Sequence, residues 1–163
     1  ATTITVVQAL PKGDRAKEAI ELLTEAGVDR IVPWSSARSI GKGSDKFAIT
    51  AREASKQSRR FRKQEIIDGL SLSQLLEIES KNGAVLVMHE SATTKLSEVV
   101  TSKFSGMSEI IIVIGPEGGI SDSELAVLEG AGAHIVGLGP EVFRSAHAGG
   151  AALSAVSALI GRW

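Results

Sequence analysis

Residues 111–121, with the sequence IIVIGPEGGIS, have the types and spacing that could build a ligand pocket. An apolar strand leads into a turn with three glycines and one proline in five positions, and a helix with a capping-box pattern, Ser121 and Glu124, follows. Such a turn is rigid, and a ligand can approach its backbone closely because glycine has no Cβ. It is neither a Walker A loop nor a Gly-x-Gly-x-x-Gly loop, so it does not predict a phosphate site. Taken alone, it could equally be an ordinary tight turn.

A second turn of this kind lies in residues 136–145 (VGLGPEVFRS) and follows another predicted strand. In a parallel sheet, ligands bind beyond the carboxyl ends of the strands. Two such turns at adjacent strand ends would therefore wall a pocket able to take a flat purine by its edges. His89 and Glu90 follow the predicted strand at 84–88 and could supply a third wall.

The three histidines are weaker signals than the turns. Lone histidines are more often structural or exposed than catalytic, and this is our interpretation of His89 and His134. The role of His147 stays open, because this residue lies just beyond the second turn and close to Arg144.

Strands that alternate with helices are predicted to position these turns. Apolar, β-branched runs predict strands at residues 3–10, 30–34, 65–67, 84–88, 109–114 and 134–138. Apolar stripes and capping residues predict helices at residues 15–26, 45–60, 71–79, 121–131 and 149–160. This alternation is typical of an α/β fold with a mostly parallel sheet flanked by helices. No internal repeat or linker divides the chain, so we expect one domain over residues 1–163.

The composition excludes several classes of protein. The chain has 163 residues, of which 43% are hydrophobic and 23% charged, as in globular proteins. It has no cysteine, so thiolate zinc sites, redox motifs and disulfides are excluded, and no metal site is expected. The apolar runs are far shorter than a membrane span, and the chain opens without a signal-peptide pattern, which favours a cytoplasmic location.

The net charge of −1 conceals a basic first part and an acidic second part. Residues 1–63 carry 13 Lys and Arg against 7 Asp and Glu, whereas residues 64–163 carry 5 against 12. Much of the basic excess lies in residues 52–63, which we call the basic segment. At helical spacing, one face of this segment carries Arg52, Lys56, Arg59 and Lys63. Such a face could bind a phosphate backbone or could simply be solvated.

Several segments match one known family in content and in order. The match includes residues 114–121 (IGPEGGIS), then Glu124, and then residues 138–140 (LGP) with Arg144. It continues in residues 8–15 (QALPKGDR), 21–28 (ELLTEAGV) and 52–60 (REASKQSRR), and so it covers nearly the whole chain. The chain closely resembles the small-subunit (16S) ribosomal RNA uracil-N3 methyltransferases, which belong to the SPOUT class.

The resemblance implies a fold and partners that the residues alone did not show. In this family the two glycine turns lie in a deep trefoil knot near the C-terminus, which binds S-adenosylmethionine. The active unit is a homodimer, and a full-length member also carries an N-terminal barrel, similar to a PUA domain, that helps to hold RNA. We therefore expect this chain to be the methyltransferase domain of such an enzyme, acting on N3 of a uridine in 16S ribosomal RNA or the small ribosomal subunit.

The resemblance, together with the charge pattern, also implies site residues. Contacts to the cofactor are expected from Met88, His89, Ile114, Gly115, Pro116, Glu117, Gly118, Gly119, Leu138, Gly139, Val142, Phe143 and Ser145. Contacts to RNA are expected from Arg15, Arg38, Arg52, Lys56, Arg59, Arg60, Arg62 and Lys63. Arg144 is expected to stabilise the uracil N3 anion, and His147 or Glu117 to remove its proton. Because N3 lies on the Watson–Crick edge, the target base must be unpaired or turned outward.

One run departs from the family pattern, which after Leu-Gly is close to Pro/x-Arg-Ile-Leu-Arg-Thr-Glu-Thr-Ala. Residues 140–148 read PEVFRSAHA. Arg144 keeps its place and Ser145 keeps a hydroxyl group, but Glu141 stands for an arginine and residues 146–147 are Ala-His in place of Glu-Thr. We expect cofactor binding through the backbone to survive these changes and the arrangement around the target base to differ.

Three other functions stay open on the sequence alone. The chain could be a SPOUT methyltransferase for another RNA position, a nucleic-acid-binding module without activity, or an unrelated α/β nucleotide-binding domain. Only the methyltransferase interpretations predict saturable binding of S-adenosylmethionine.

Overall fold

The computed structural model describes residues 2–9, 14–34, 65–66, 84–104, 106–116, 118–140 and 143–163. The strands in these ranges are β1 (Thr3–Ala9), β2 (Arg30–Trp34), β3 (Glu65–Ile66), β4 (Val85–Met88), β5 (Glu109–Ile114) and β6 (His134–Val136). The helices are α1 (Arg15–Glu25), α2 (Leu96–Lys103), α3 (Asp122–Gly130) and α4 (Ser145–Leu159). Within the described ranges, no helix has the length and apolar character needed to cross a membrane.

The described strands form one sheet in the order β3-β2-β1-β5-β4-β6. Every neighbouring pair is parallel, so the carboxyl ends of the strands share one edge. In the central pair, Val6 of β1 lies opposite Ile112 of β5, and Gln8 lies opposite Ile114. This register places the end of β1 beside the point where β5 enters its glycine turn.

Helices cover both faces of the sheet, which explains why the central strands are apolar along their length. On one face, α1, α2 and α4 pack in a core that includes Ile20, Leu96 and Leu153. On the other face, Leu128 of α3 packs in a core with Val113 of β5. Burial on both sides holds the strands rigidly and fixes the positions of the turns that follow them.

The predicted α/β fold with a mostly parallel sheet is confirmed. Each described strand lies within two residues of its predicted bounds. The trefoil knot itself stays a prediction. The helices predicted at 45–60 and 71–79, and the basic segment, lie outside the described residues.

Two predicted details are wrong. The last helix begins at Ser145 rather than at residue 149, because Arg144 has the extended backbone of an N-cap. Gly149 and Gly150 are interior positions of this helix, where it packs closely on α1: a Cβ at Gly150 would lie 2.5 Å from Cγ of Leu22. The two glycine turns are also not at adjacent strand ends, because β4 lies between β5 and β6.

Helix α2 was not predicted from the sequence, since it is short and contains two adjacent valines, which have low helix propensity. Its apolar residues Leu96, Val99 and Val100 are spaced as one helical face, and all three are buried. Tertiary packing of this face therefore outweighs the weak local preference.

Candidate functional site

A cavity of about 360 Å³ opens at the edge of the sheet where the carboxyl ends of β4, β5 and β6 meet. This volume falls in the range of small-molecule sites, roughly 300–1,000 Å³. The first residues of α1 and α4, among them Arg15 and Ser145, complete the lining. The cavity lies where the sequence predicted a pocket, with β4 as its middle wall.

The turn after β5 is tied to the body of the protein through its carbonyl groups. The indole Nε1 of Trp34 donates to the carbonyl of Ile114 at 2.9 Å, and Oγ of Ser145 donates to the carbonyl of Gly115 at 2.7 Å. The amide of Gly119 donates to the carbonyl of Pro116 at 2.9 Å. Because these carbonyls are engaged within the protein, the shape of the turn is set before any ligand binds.

Two positions in this turn require glycine. A Cβ at Gly115 would collide with the Cγ1 atom of Ile120. Gly119 has a φ of +83°, in the left-handed region that other residues rarely adopt. The turn then passes into α3 through the predicted capping box, in which Oγ of Ser121 accepts from the amide of Glu124 and the Glu124 carboxylate accepts from the amide of Ser121.

The opposite wall joins the ends of β4 and β6. The amide of His89 donates to the carbonyl of Val136 at 3.0 Å, and the amide of Gly137 donates to the carbonyl of Thr94 at 2.9 Å. The Nδ1 atom of His89 accepts from the amide of Ser91 at 3.2 Å and lies 2.8 Å from Oγ of Ser91. These contacts hold the ring of His89 at the lining of the cavity.

Two cations, Arg15 and Arg144, line the cavity on the side of α1 and α4. Beside them, Nε2 of His147 donates to the carboxylate of Glu18. This hydrogen bond lowers the pKa of Glu18, an effect that burial opposes and that the positive charges of His147, Arg144 and Arg15 strengthen. The pair connects α1 to the first turn of α4, next to the cavity.

Most of the sequence-predicted cofactor residues come together around the cavity. Its lining contains Met88, His89, Ile114, Gly115, Pro116, Gly118, Gly119, Leu138, Gly139, Phe143 and Ser145, together with Arg144. Arg15, predicted as an RNA contact, lines it as well. His147 is not part of the lining. Outside the described residues lie Glu117, Val142, Arg38, Arg52, Lys56, Arg59, Arg60, Arg62 and Lys63.

Several residues of the site were not predicted. Glu90, named only as part of a wall, lines the cavity, as do Ile120, Gly137 and Ala148. Gln8 and Trp34 were missed because neither lines the cavity itself; each hydrogen-bonds a residue that does. A glutamine near the end of an apolar strand was the available signal for Gln8, since a buried amide needs partners.

The described residues contain no cluster of three or more His, Asp or Glu side chains that could hold a metal ion. The polar groups around the cavity are instead backbone amides and carbonyls, two arginines, His89, Glu90 and Ser145. This set suits an organic ligand with both apolar and charged parts.

Comparison with known proteins agrees with this geometry. The chain is similar to the ribosomal RNA small subunit methyltransferase E of Mycobacterium bovis, with 41% identity over 172 aligned residues that cover 98% of this chain and 64% of the relative. The same-named protein of Bacillus subtilis is 33% identical over 93% of this chain and 64% of that relative. The chain thus spans less than two thirds of the length of these curated relatives.

A solved structure shares the fold. The ribosomal RNA small subunit methyltransferase E from Neisseria gonorrhoeae, bound to S-adenosylmethionine, superposes with a TM-score of 0.85 and 27% identity, covering 97% of this chain and 66% of that one. Residues 1–157 match the family model described as RNA methyltransferase domain. Because that match covers almost the whole chain, the protein belongs to the RNA methyltransferase domain family.

Proposed function

We propose that this chain is the catalytic domain of an S-adenosylmethionine-dependent methyltransferase that modifies N3 of a uridine in 16S ribosomal RNA. The observation that carries the proposal is the cavity at the carboxyl edge of the sheet, built from two glycine turns in a member of the RNA methyltransferase domain family. The identity of 41% to a ribosomal RNA small subunit methyltransferase supports the choice of substrate.

The residues of the cavity fit S-adenosylmethionine. Its purine needs a flat slot with backbone hydrogen-bonding groups, which the glycine turns around Gly115 and Gly139 provide. A side chain at Gly115 would disturb the packing of Ile120 in this slot. Met88 and Leu138 offer apolar surface, and the SAM-bound relative from Neisseria gonorrhoeae has the same fold.

When bound, S-adenosylmethionine supplies a methyl group activated by a sulfonium centre. The protein must place the uracil N3 in line with this group, and positioning of this kind can supply on the order of 7–11 kcal/mol of barrier reduction. The guanidinium of Arg144, which lines the cavity, favours the N3 anion by its positive charge. We assign the chemistry to positioning and to this cation.

The proton on N3 must go to a base within about 3 Å or one water away. His147 bonds Glu18 and is not part of the cavity lining, and Nδ1 of His89 already accepts from the amide of Ser91. We therefore favour Glu117 as the base, because its neighbours Pro116 and Gly118 both line the cavity.

We further propose that RNA is the macromolecular partner, held by the basic segment, and that the active unit is a homodimer. We place the protein in the cytoplasm, where ribosomal subunits are assembled. Half-buried small residues on α4, such as Ala151 and Ser154, would allow a second copy to approach closely. Light scattering should give about twice the mass of the 17.0 kDa chain, and a mass near one chain at micromolar concentration would contradict the dimer.

Detection of the modified nucleoside in ribosomal RNA tests the proposed reaction. Ribosomal RNA from a strain that lacks the corresponding gene should be hydrolysed and searched for N3-methyluridine by mass spectrometry, with and without complementation. Loss of this nucleoside and its return on complementation support the proposal. Loss and return of a different methylated nucleoside would show a methyltransferase for another position, and an unchanged nucleoside profile would point to a binding module without activity.

A further inference from the structure

A buried amide stands at the end of β1, in a strand that is otherwise mostly apolar. The side chain of Gln8 has no exposed surface. Its Nε2 lies 3.1 Å from the carbonyl of Ala9, 3.3 Å from the carbonyl of Ser145 and 3.2 Å from Oγ of Ser145. All of these are acceptors or can be, so they fix the amide nitrogen on this side of the glutamine.

A second hydrogen bond connects Ser145 to the glycine turn. Its Oγ donates to the carbonyl of Gly115 at 2.7 Å. Because a hydroxyl group has one proton, Oγ must act as acceptor toward Gln8 while it donates to Gly115. Gln8, Ser145 and Gly115 thus form a directional chain of hydrogen bonds, which we call the Gln8 relay.

The relay connects three separate parts of the molecule. Gln8 belongs to β1, Ser145 is the first residue of α4, and Gly115 begins the turn after β5. Ser145 and Gly115 line the cavity, whereas Gln8 does not. Gln8 therefore acts on a ligand through residues that line the cavity, and Ser145 is the one that its side chain hydrogen-bonds.

Packing alone does not explain why a glutamine occupies this buried position. Its Oε1 atom is buried and has no hydrogen-bond partner among the described residues, which costs stability. Helix α4 approaches this oxygen closely, since a Cβ at Gly149 would lie 3.1 Å from it. A methionine would fill the same space without an unpaired oxygen but would lose the contacts of Nε2, so those contacts must outweigh the cost of the oxygen.

We propose that Gln8 is a positioning residue for the ligand cavity. It holds the hydroxyl of Ser145 in the orientation that fixes the carbonyl of Gly115, and so it aligns the start of α4 with the glycine turn. Preformed alignment of this kind favours binding, because less freedom is lost when the ligand enters. The inference rests on the proposed S-adenosylmethionine site.

The test compares Gln8→Met with the unmodified chain. Binding of S-adenosylmethionine, measured by calorimetry, should weaken by roughly three- to tenfold, the size expected for one net hydrogen bond, while circular dichroism should show that the fold persists. The carbonyl ¹³C resonance of Gly115 should also move, although the side chain of Gln8 hydrogen-bonds Ala9 and Ser145 rather than Gly115. The control Ser157→Ala, a buried hydroxyl on the same helix away from the cavity lining, should change neither the affinity nor this resonance.

A double-mutant cycle with Ser145→Ala separates action through Ser145 from a general loss of order. In the Ser145→Ala background, Gln8→Met should cause no further loss of affinity. Additive losses would overturn the relay, and so would an unchanged affinity with an unmoved Gly115 resonance in Gln8→Met. If Gln8→Met does not fold, Ser145→Ala alone must still move the Gly115 resonance, and its failure to do so overturns the inference. Failure of the unmodified chain to bind S-adenosylmethionine would instead contradict the proposed function.

Discussion

The two edges of the sheet are built in opposite ways. At the amino edge, where the strands begin, the guanidinium of Arg162 donates to the Asp29 carboxylate at 2.7 Å, to the carbonyl of Gly27 at 2.6 Å and to that of Thr2 at 3.3 Å. A second ion pair joins Arg30 to Glu109 at 3.5 Å. At this edge, charged side chains connect the loops that precede the strands to the last residues of the chain.

At the carboxyl edge, where the cavity opens, side-chain hydrogen bonds from the body of the protein fix the glycine turn. Trp34 and Ser145 bind the carbonyls of Ile114 and Gly115, and glycine allows the tight course of the chain at Gly119. One edge thus uses its polar groups for stability, and the other uses them to shape a site. Stability and ligand affinity should therefore respond to different substitutions.

The largest expected effect is at the carboxyl edge. Gly119→Val should weaken the binding of S-adenosylmethionine by roughly a hundredfold or more, because a β-branched residue is strained at a φ of +83° and its side chain stands in the turn. Calorimetry measures the affinity, and circular dichroism should show that the fold persists.

Gly132→Val is the matched control. Gly132 has a φ of +104°, and no atom lies within 4 Å of a Cβ built there. The Gly132→Val variant has the same type of backbone strain as Gly119→Val, but in the turn between α3 and β6, away from the cavity lining. It should lower stability but leave the affinity within about twofold. An equal loss of affinity in both variants would show that strain alone, and not the site, explains the result.

At the amino edge, Arg162→Ala should lower the free energy of unfolding by about 2 kcal/mol, since it removes the charged hydrogen bonds to Thr2, to Gly27 and to an Asp29 whose side chain is only 8% exposed. Urea unfolding measures this change, and the affinity for S-adenosylmethionine should stay within about twofold. The control Lys17→Ala breaks a partly exposed pair with Glu21 at 3.9 Å and should cost about 0.5 kcal/mol or less. Equal losses in the two variants would contradict a special role for the amino edge.

The basic segment offers a test that separates RNA from the cofactor. Changing Arg59 and Arg60 together to Ala should weaken RNA binding and lower the slope of its salt dependence by roughly 0.7–0.9 for each phosphate that the protein no longer neutralises. Affinity for S-adenosylmethionine should stay within about twofold. Either an unchanged slope or an equal loss of cofactor binding would reject this division of roles.

The smallest effect concerns pH and the start of β6. Burial lowers the pKa of His134, and the positive charge of Lys103 lowers it further. The unfolded chain then binds more protons between the lowered pKa and the ordinary value of about 6.5. Stability should therefore fall as the pH drops from about 6.5 through the folded-state pKa.

His134→Phe should reduce this acid-dependent loss while keeping an aromatic ring against Phe104. Urea unfolding of both proteins between pH 7.5 and pH 5 measures the difference. The same pH dependence in both proteins would exclude His134 as its source, and the affinity for S-adenosylmethionine should not differ between them at pH 7.5.

The sequence predicted those parts of the fold and site that depend on local signals. Apolar β-branched runs marked β1 and β5, and glycine with proline marked the turn at Gly115, because these preferences act over a few residues. The capping box of Ser121 and Glu124 is likewise contained in four residues, and it was confirmed.

Contacts between distant residues could not be predicted in this way. Gln8 and Ser145 are 137 positions apart, Trp34 and Ile114 are 80 apart, and both contacts depend on the order of strands in the sheet. The same holds for His147, whose hydrogen bond to Glu18 requires α4 to begin at Ser145 and to pack on α1. Local spacing places His147 near Arg144 but does not show that the His147 ring is hydrogen-bonded to Glu18.

The most direct test of the central claim is a titration of the ¹⁵N-labelled chain with S-adenosylmethionine, followed by amide NMR. The carboxyl edge binds the cofactor if the amides of Gly115, Gly119 and Gly137 shift and saturate together, while Gly106 and Gly161 at the other edge do not move. Absence of saturable shifts, or shifts centred on Gly106 and Gly161, would contradict the account.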